Sequence, residues 1–275
     1  MNAAAKSGDL VYVSNQGNGT VTVYAYRSRK IVGTLSGFSM PAGLCSDRAG
    51  NVWITDEGSS EIIEYAHGGT TPIGSLSDGS EQPSACSVDR KTGNVAVLDA
   101  GDIAVFAHAS GSPTRYTGGN VYGDNALSYN ARGDLLIDGG SYDSSNVIAF
   151  AQLVPGASAL KQVVLSRTLI WAPPTFVQWD GEFWIVGDTT LDWFKVTGNK
   201  GSYEGYTSLS PASAMMQLCI ASVGGSGNRG NVLVATEDAP YDVEFFEYPA
   251  GGRAFANITN ALSDPYGITI SEVAK

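Results

Sequence analysis

Short runs in which apolar and polar residues alternate recur along the whole chain, and turn-forming residues separate them. Such runs predict β-strands, because successive side chains of a strand point to opposite faces of its sheet. Six of these runs contain an aromatic landmark, at Tyr24, Tyr65, Phe106, Phe150, Phe194 and Tyr248. The landmarks are 41, 41, 44, 44 and 54 residues apart, a period typical of repeated units of four short strands.

A second landmark precedes each aromatic one and consists of an apolar strand that ends on a polar side chain. These side chains are Asn15, Asp56, Asp99, Asp138, Asp188 and Glu237. β-Branched and aromatic residues dominate the runs before them, as strands require. Most of these strands follow a turn that needs a positive φ, at Gly50-Asn51, Gly93-Asn94, Gly133-Asp134 and Gly230-Asn231.

A third landmark opens each unit, and its last copy, Pro265-Tyr266-Gly267-Ile268, lies near the end of the chain. The chain therefore begins with the second strand of a unit and finishes with the first strand of one. Pairing these two ends completes a four-stranded sheet and leaves no open edge, whereas a linear array would need capping repeats. We predict an all-β fold: a six-bladed β-propeller of four-stranded antiparallel blades, closed by the C-terminal first strand pairing with the N-terminal strands.

One domain is expected to span residues 9–275. Hydrophobic residues make up 43% of the chain, enough for a core, and large all-β folds often reach this length as one unit. Residues 1–8 lack the apolar block of a signal peptide, and we interpret them as a disordered or trimmed leader. This interpretation leaves room for a secreted, periplasmic or cell-surface protein whose export leader has been removed.

The order Pro-x-Gly-Leu-x-x-Asp, then Gly-Asn-Val-x-x-x-Asp, then an aromatic strand is clearest between Pro41 and Ser77. In this order the chain resembles the NHL and YVTN-type repeat propellers of bacteria, and the resemblance extends over essentially the whole chain. It weakens in the fifth and sixth units, where insertions occur at 199–206 and 224–230. The resemblance implies the six-bladed fold that gluconolactonase-like propellers share, a fold that serves lyases, lactonases, scaffolds and binding modules.

The charge balance narrows the class of partner. Acidic residues number 27 against 16 basic ones, for a formal net charge of -11. A nucleic-acid partner is therefore not expected, because phosphate binding needs clustered Lys and Arg. No apolar run reaches the length of a membrane span. We expect a monomer whose partner is an unknown small molecule, peptide or protein.

Cysteine and histidine restrict the chemistry further. Cys45, Cys86 and Cys219 are odd in number and lie in apolar stretches, so buried thiols are favoured over a disulfide framework. His67 and His108 each follow an aromatic landmark by two residues, which predicts matching outer turns away from the channel. The zinc lyases, streptogramin lyases and pyrroloquinoline-quinone dehydrogenases built on propellers need histidine at their sites, so no catalytic residue is predicted here.

The loops that lead into the first strands, here called the leading loops, differ from one another, and such individuality is what a binding site needs. They should share one face of the propeller around its central channel. We predict ligand contacts there from Phe38, Met40, Glu81, Tyr122, Asp124, Trp171, Met215 and Tyr266. The alternative is that these side chains plug the channel and pack blade against blade.

The polar side chains at the strand ends could suggest a metal site, since carboxylate and amide oxygens are calcium ligands. Their occurrence in every unit favours a structural role instead, in which they accept hydrogen bonds from amides of the following turn. A calcium site is kept as an alternative from the resemblance to gluconolactonase-like propellers, with Glu81, Asn125 and Asp264 at the matching positions. No other cofactor is predicted.

From these features we expect a non-enzymatic ligand-binding or protein-binding propeller, or a scaffold, that acts outside the cytoplasm through its leading-loop face. One alternative is a calcium-dependent lactonase or related hydrolase, based on the acidic residues of the same loops. Another is a structural surface or adhesion module.

Overall fold

The computed structural model describes residues 1–2, 5, 7–79, 82–99, 101–170, 176–187, 190–210, 215–221, 231–237 and 241–273, with the backbone alone at 122–125, 145–146 and 231–237. Regular structure within these residues consists of 24 strands and two short 3-10 helices, Gln16–Asn18 and Ala107–Ala109. Neither helix in this part of the chain has the length and apolar character needed to cross a membrane.

The strands are numbered in chain order. The first group is β1 (Leu10–Asn15), β2 (Thr20–Ala25), β3 (Ile31–Ser36), β4 (Pro41–Ser46), β5 (Val52–Asp56), β6 (Glu61–Tyr65), β7 (Pro72–Ser77) and β8 (Ala85–Val88). The second is β9 (Val95–Leu98), β10 (Ile103–Phe106), β11 (Thr114–Tyr116), β12 (Val121–Tyr129), β13 (Leu135–Ser141), β14 (Ser144–Leu153), β15 (Lys161–Leu165) and β16 (Phe176–Trp179). The third is β17 (Trp184–Gly187), β18 (Thr190–Thr197), β19 (Lys200–Ser208), β20 (Met215–Ala221), β21 (Asn231–Glu237), β22 (Val243–Tyr248), β23 (Ala256–Ile258) and β24 (Pro265–Ser271).

The strands form antiparallel meanders of four. Four sheets have the orders β4-β5-β6-β7, β8-β9-β10-β11, β20-β21-β22-β23 and β24-β1-β2-β3. A further sheet contains two such meanders, β12-β13-β14-β15 and β16-β17-β18-β19. A short parallel pairing joins these two, with Val164 opposite Lys200 and Leu165 opposite Gly201. The sequence pattern does not predict this joint, because it involves only the outer edges of the two meanders.

The two ends of the chain share one sheet. Strand β24 pairs antiparallel with β1, and the register places Val11 opposite Ile270 and Tyr12 opposite Thr269. This pairing confirms the prediction that the C-terminal first strand completes the sheet begun at the N-terminus. Ser14 reinforces the join, because its hydroxyl accepts a hydrogen bond from the amide of Gly267 at 2.7 Å and donates one to the carbonyl of Ala42 at 2.6 Å.

The first strand of each meander lies beside the first strands of its neighbours. They contact one another in the order β4, β8, β12, β16, β20 and β24, and β24 in turn contacts β4. The sheets therefore stand side by side around a common axis, and each buries both of its faces. In β1, Tyr12 packs with Leu44 and Ile54 on one side, while Val11 packs with Phe245 on the other. Burial on both faces explains why β1 is apolar at successive positions rather than alternating.

Polar groups at the strand ends accept hydrogen bonds from backbone amides, but the predicted donors, the amides of the following turn, are not the ones observed at Asp56 and Asp138. The carboxylate of Asp56 accepts from the amides of Ser39 and Met40, and Asp138 accepts from Ala126 at 2.9 Å. The donors lie in or beside the leading loop of the same sheet rather than in the following turn. The side chains of Asp188 and Glu237 lie outside the described residues.

The turns between first and second strands repeat a second device. Asp47, Asp89, Asn130 and Asp180 each accept hydrogen bonds from amides two to four residues further along the turn. Gly50 follows with a φ of 85°, as predicted, and a Cβ there would collide with the carbonyl oxygen of Glu272. These turns are therefore fixed both by their own hydrogen bonds and by contact with the neighbouring sheet.

Three residues of the expected leader contact the fold. The amide of Asn2 donates to the carbonyl of Val32 at 2.8 Å, Met1 packs against the cluster that contains Val32, and Ala5 is fully buried. The apolar side chains of Met1 and Ala5 cover the outer part of this sheet.

A disulfide between Cys45 and Cys86 contradicts the expectation of buried free thiols. The two residues are 41 apart in sequence, one repeat period, so they occupy similar places on the adjacent strands β4 and β8. Their Cα atoms are 5.7 Å apart, within the range that a disulfide spans. Cys219 is free.

Replacing Cys45 and Cys86 together with Ala is expected to lower the free energy of unfolding by about 3–4 kcal/mol, because the bridge restricts a long loop of the unfolded chain. The midpoint and slope of guanidinium unfolding measure the loss. Cys219→Ala is the control, since it removes a thiol without removing a crosslink. Equal losses in the two proteins, or three titratable thiols in denatured, unreduced protein, would show that no such bridge exists.

Candidate functional site

A cavity of about 660 Å³ lies on the common axis, where the first strands meet. Its size is within the range of about 300–1,000 Å³ that is typical of small-molecule sites. Every first strand contributes to its wall, through residues 43–46, 84–88, 126–130, 176–179, 216–221, and 266 with 268–270. We call this space the central cavity.

Serine side chains hold neighbouring first strands of the wall in place. Ser46 donates to the carbonyl of Ile270 at 2.9 Å, and Ser87 accepts from the amide of Tyr129 at 3.0 Å. Ser128 accepts in the same way from the amide of Trp179 at 3.1 Å. These bonds cross from one meander to the next and satisfy backbone groups that the inner edges would otherwise leave unpaired. The wall is therefore formed before any ligand arrives.

Gln217 ties three first strands together at the cavity wall. Its amide oxygen accepts from the amides of Ile268 at 2.9 Å and Leu44 at 3.3 Å, and its amide nitrogen donates to the carbonyl of Leu44 at 3.1 Å. The side chain starts on β20 and reaches across β24 to β4. It therefore connects the last complete meander to the first one across the join between the chain ends.

Charged side chains stand where the cavity reaches the turns after the first strands. Arg48, Arg90 and Lys91 line this end and are exposed, and Glu272 lines it half-buried. We call this end the turn-side rim. Asp89 also lines the rim, but it is 4% exposed, and its two oxygens accept from the Lys91 amide and the Thr92 hydroxyl.

The rim charges act on groups inside the cavity. Burial raises the pKa of the Cys219 thiol on β20, the positive charge of Arg90 works against that rise, and Glu272 adds to it. Burial also raises the pKa of the Tyr266 phenol, with a smaller contribution from Glu57.

Four of the residues predicted to contact a ligand can be placed in full. Phe38 is buried and packs against the Tyr65 ring at a centroid distance of 6.2 Å. Met215 is fully buried in a hydrophobic cluster, and Met40 is half-buried beside Asp56. Tyr266 alone of these four lines the central cavity. Glu81 and Trp171 lie outside the described residues, and Tyr122 and Asp124 are described by backbone alone.

The residues of the alternative calcium site are only partly described. Asp264 is exposed, has a φ of 56°, and accepts a hydrogen bond from the Gln16 amide at its own carbonyl. The side chains of Glu81 and Asn125 are outside the described part of the chain. Among the residues that are described, no group of three or more His, Cys, Asp or Glu side chains is placed to hold a metal ion.

Both histidines lie away from the cavity wall, as predicted, His67 in a turn and His108 in the short 3-10 helix Ala107–Ala109. His67 is half-buried, its Nδ1 is 2.6 Å from the Ser271 hydroxyl, and burial lowers its pKa. His108 is exposed, with its Nδ1 2.9 Å from the Thr92 carbonyl.

The sequence pattern does not reveal four residues that line the candidate site: Arg48, Arg90, Lys91 and Gln217. The first three belong to turns whose glycines suggested a purely local role. The signal was their repetition: a basic residue directly follows the turn aspartate at both Asp47 and Asp89. Because the turns after first strands converge on the axis, repeated charges there meet at one rim.

A second charged cluster lies between the sheets β4–β7 and β8–β11. The guanidinium of Arg115 is 2.6 Å from Asp78, 2.7 Å from Asp99 and 2.6 Å from Asp102. The side chains of Asp78 and Asp99 are 0% and 1% exposed. Burial and the neighbouring Asp78 raise the pKa of Asp99, and Arg115 opposes the rise. One cation thus serves three carboxylates, so a proton on Asp99 relieves the excess negative charge.

Comparison with known proteins identifies the fold and not the family. No protein-family model and no curated protein matches the chain. The nidogen/laminin complex contains a chain with a TM-score of 0.70 and 13% identity, over 98% of this chain and 100% of that one. A protein of unknown function from Bacteroides caccae has a TM-score of 0.67 and 11% identity, over 96% and 99%.

The Myceliophteria thermophila Cps50 (Swd1) β-propeller domain has a TM-score of 0.58 and 10% identity, over 97% of this chain and 90% of that one. Together with the ring of first strands, these similarities define the chain as a β-propeller with a central cavity. At these identities the similarity concerns the fold alone, and function must be inferred from the site.

Proposed function

We propose that this chain is a non-enzymatic six-bladed propeller, a single domain over residues 9–275, that binds a partner in its central cavity. Six four-stranded meanders support the six blades of this proposal. Their first strands contact one another in sequence, and the last contacts the first, which supports a closed ring. The family-level resemblance to bacterial NHL and YVTN-type propellers belongs to this proposal as well.

The observation that carries the proposal is the cavity of about 660 Å³ with its hydrogen-bonded wall. Because the wall is already fixed, ligand binding costs little conformational entropy of the protein. Backbone groups and serine hydroxyls supply polar contacts, and the half-buried Trp179 supplies apolar ones. The leading-loop residues Phe38 and Met215 are occupied in core packing, so we place the ligand in the cavity itself.

The disulfide supports action outside the cytoplasm. Such bonds persist in oxidising compartments and are rare where glutathione and thioredoxin keep thiols reduced. We therefore propose that the protein is secreted, periplasmic or at the cell surface, and monomeric, with a small molecule, peptide or protein as its partner.

A filling substitution tests cavity binding. Gln178 is half-buried in the cavity wall, and Gln178→Trp should remove most of the thermal stabilisation that a ligand from a metabolite and peptide library confers on the native protein. Thr34→Trp adds the same side chain on the exposed face of β3 and should leave that stabilisation unchanged. Gln178→Phe, which is smaller, covers the case in which tryptophan disturbs the fold.

The contrary outcomes are specific. Ligands that stabilise the filled and unfilled proteins equally would place binding elsewhere. A rise in Tm with calcium that a chelator reverses, together with hydrolysis of a lactone panel, would replace the proposal with the lactonase alternative.

A further inference from the structure

The turn-side rim of the cavity carries cations whose hydrogen-bonding capacity is not used. Within the described residues, Arg48, Arg90 and Lys91 form no ion pair. Arg132, in the equivalent turn of the next blade, is instead paired with Asp134 at 2.9 Å and does not line the cavity. An exposed guanidinium without a carboxylate partner is available to an incoming anion.

Two of the acids at the same rim, Asp89 and Asp180, are already engaged. Both oxygens of Asp89 accept hydrogen bonds within its own turn. Asp180 accepts from the amides of Glu182 and Phe183 at one oxygen, and from the Tyr248 hydroxyl at the other, at 2.7 Å. These acids cannot turn toward the rim arginines without giving up the bonds that shape the turns. Glu272 also lines the rim, so the charges that remain there for a ligand are the three cations and one carboxylate.

The basic groups are concentrated on one side of the cavity. Arg48 follows β4, and Arg90 and Lys91 follow β8, the next first strand in the ring. Strand β16 lies three places from β4 in the order of six, and so faces it. It contributes Trp179, whose ring is held edge-on by Trp184 at a centroid distance of 5.1 Å. The cavity thus has cations on one wall and the half-buried Trp179 in the opposite wall.

We propose that the central cavity binds a small organic anion, with its carboxylate or phosphate group at Arg48, Arg90 and Lys91 and its apolar body against the β16 wall. This inference rests on the proposed function and adds the class of ligand and the end at which it enters. A chain with a formal net charge of -11 repels anions in general, so an anion site needs such a local concentration of unpaired cations.

Titration calorimetry with four probes of one shape tests the inference. The probes are 1-naphthoate, 1-naphthyl phosphate, neutral 1-naphthol and the 1-naphthylmethylammonium cation. At least one of the two anions should bind the native protein at least ten-fold more tightly than the neutral and cationic probes, and the comparison between them separates carboxylate from phosphate. Raising the salt from about 50 to about 500 mM should weaken that preference, because rim charges are screened.

The double variant Arg48→Gln/Arg90→Gln should bind the anion at least ten-fold more weakly with an unchanged Tm. Arg132→Gln removes a charge of the same kind from the equivalent turn and should bind as the native protein does. Equal binding of all four probes, or anion binding that the double variant leaves intact, would overturn anion selection. If all four probes bind equally and Gln178→Trp abolishes their binding, the proposal of binding in the central cavity is retained. If they bind equally and Gln178→Trp leaves their binding intact, the proposed function is contradicted as well. Failure of both anions to bind would also overturn the inference.

Discussion

Deleting residues 265–275 is expected to abolish cooperative folding of the entire chain. The deletion removes β24, which pairs with β1 and contacts β4 and β20. It removes Ile268 and Ile270 and exposes the rest of their cluster, where each buried side chain contributes about 1.5–3 kcal/mol. It also breaks the bonds of Ser14 and Gln217 to this strand. Together these losses are comparable with the whole stability of a typical domain, about 5–15 kcal/mol.

Circular dichroism melting and size-exclusion chromatography measure the outcome. The truncated chain should melt without a sharp transition and should elute as an expanded or aggregated species, since the open edge of β1 invites pairing with other chains. A synthetic peptide of residues 262–273 added in trans should restore the transition by taking the place of the missing strand. A truncated chain with the Tm of the full one would refute the account of ring closure.

A point variant tests the same join without removing any chain. Gly267 lies so close to β4 that a Cβ would collide with the carbonyl oxygen of Ala42 and with the Ser14 hydroxyl. Gly267→Val should therefore destabilise strongly. Gly8→Val is the matched control, because a Cβ at Gly8 meets nothing within 4 Å.

Arg115→Met should lower the free energy of unfolding by about 3–5 kcal/mol, the usual cost of leaving a buried charge without its partner. Methionine keeps much of the side-chain length, so the loss reports the charge. Asp78 and Asp99 are almost fully buried and would face each other without the guanidinium. Urea unfolding at pH 7 measures the effect.

Asp99→Asn is the companion variant, and it predicts a pH dependence. In the folded protein the pKa of Asp99 is raised above its unfolded value, so this group stabilises the fold most at low pH, and the contribution is lost as pH rises through the folded pKa. Asparagine imitates the protonated form and removes this loss. Relative to the native protein, Asp99→Asn should thus become more stable as pH rises from about 4 to 8. If the difference in stability between Asp99→Asn and the native protein is the same at every pH, and Arg115→Met is as stable as the native protein, then the cluster does not contribute to stability.

Local patterns predicted much of this fold because a propeller repeats local structure. The alternation of apolar and polar residues predicted the strands, and glycine turns such as that at Gly50 predicted where the strands begin. The last landmark, at Pro265, predicted that the two ends of the chain pair in one sheet. The disulfide was missed although its spacing equals one repeat period. An odd cysteine count argued against pairing, whereas the deciding fact is that Cys45 and Cys86 lie on adjacent first strands.

The residues of the proposed binding site were harder to predict, because they depend on which face of the repeat points toward the axis. Phe38 and Met215 are large and apolar, and such residues fill gaps between sheets as readily as they line pockets. Arg48 and Arg90 look like ordinary turn residues until the ring brings their turns together. Arg115 draws on carboxylates 37 and 16 residues away, from two different sheets. The Arg115 cluster therefore leaves no periodic signal in one sequence.

Amide hydrogen exchange of residues 266–271 in the intact protein tests most directly whether the end of the chain closes a ring around the cavity. We expect these amides to be protected as well as those of the inner strands β4 and β8, because all of them open only when the ring opens. Exchange of 266–271 at the rate of an unstructured peptide, while β4 and β8 stay protected, would contradict ring closure.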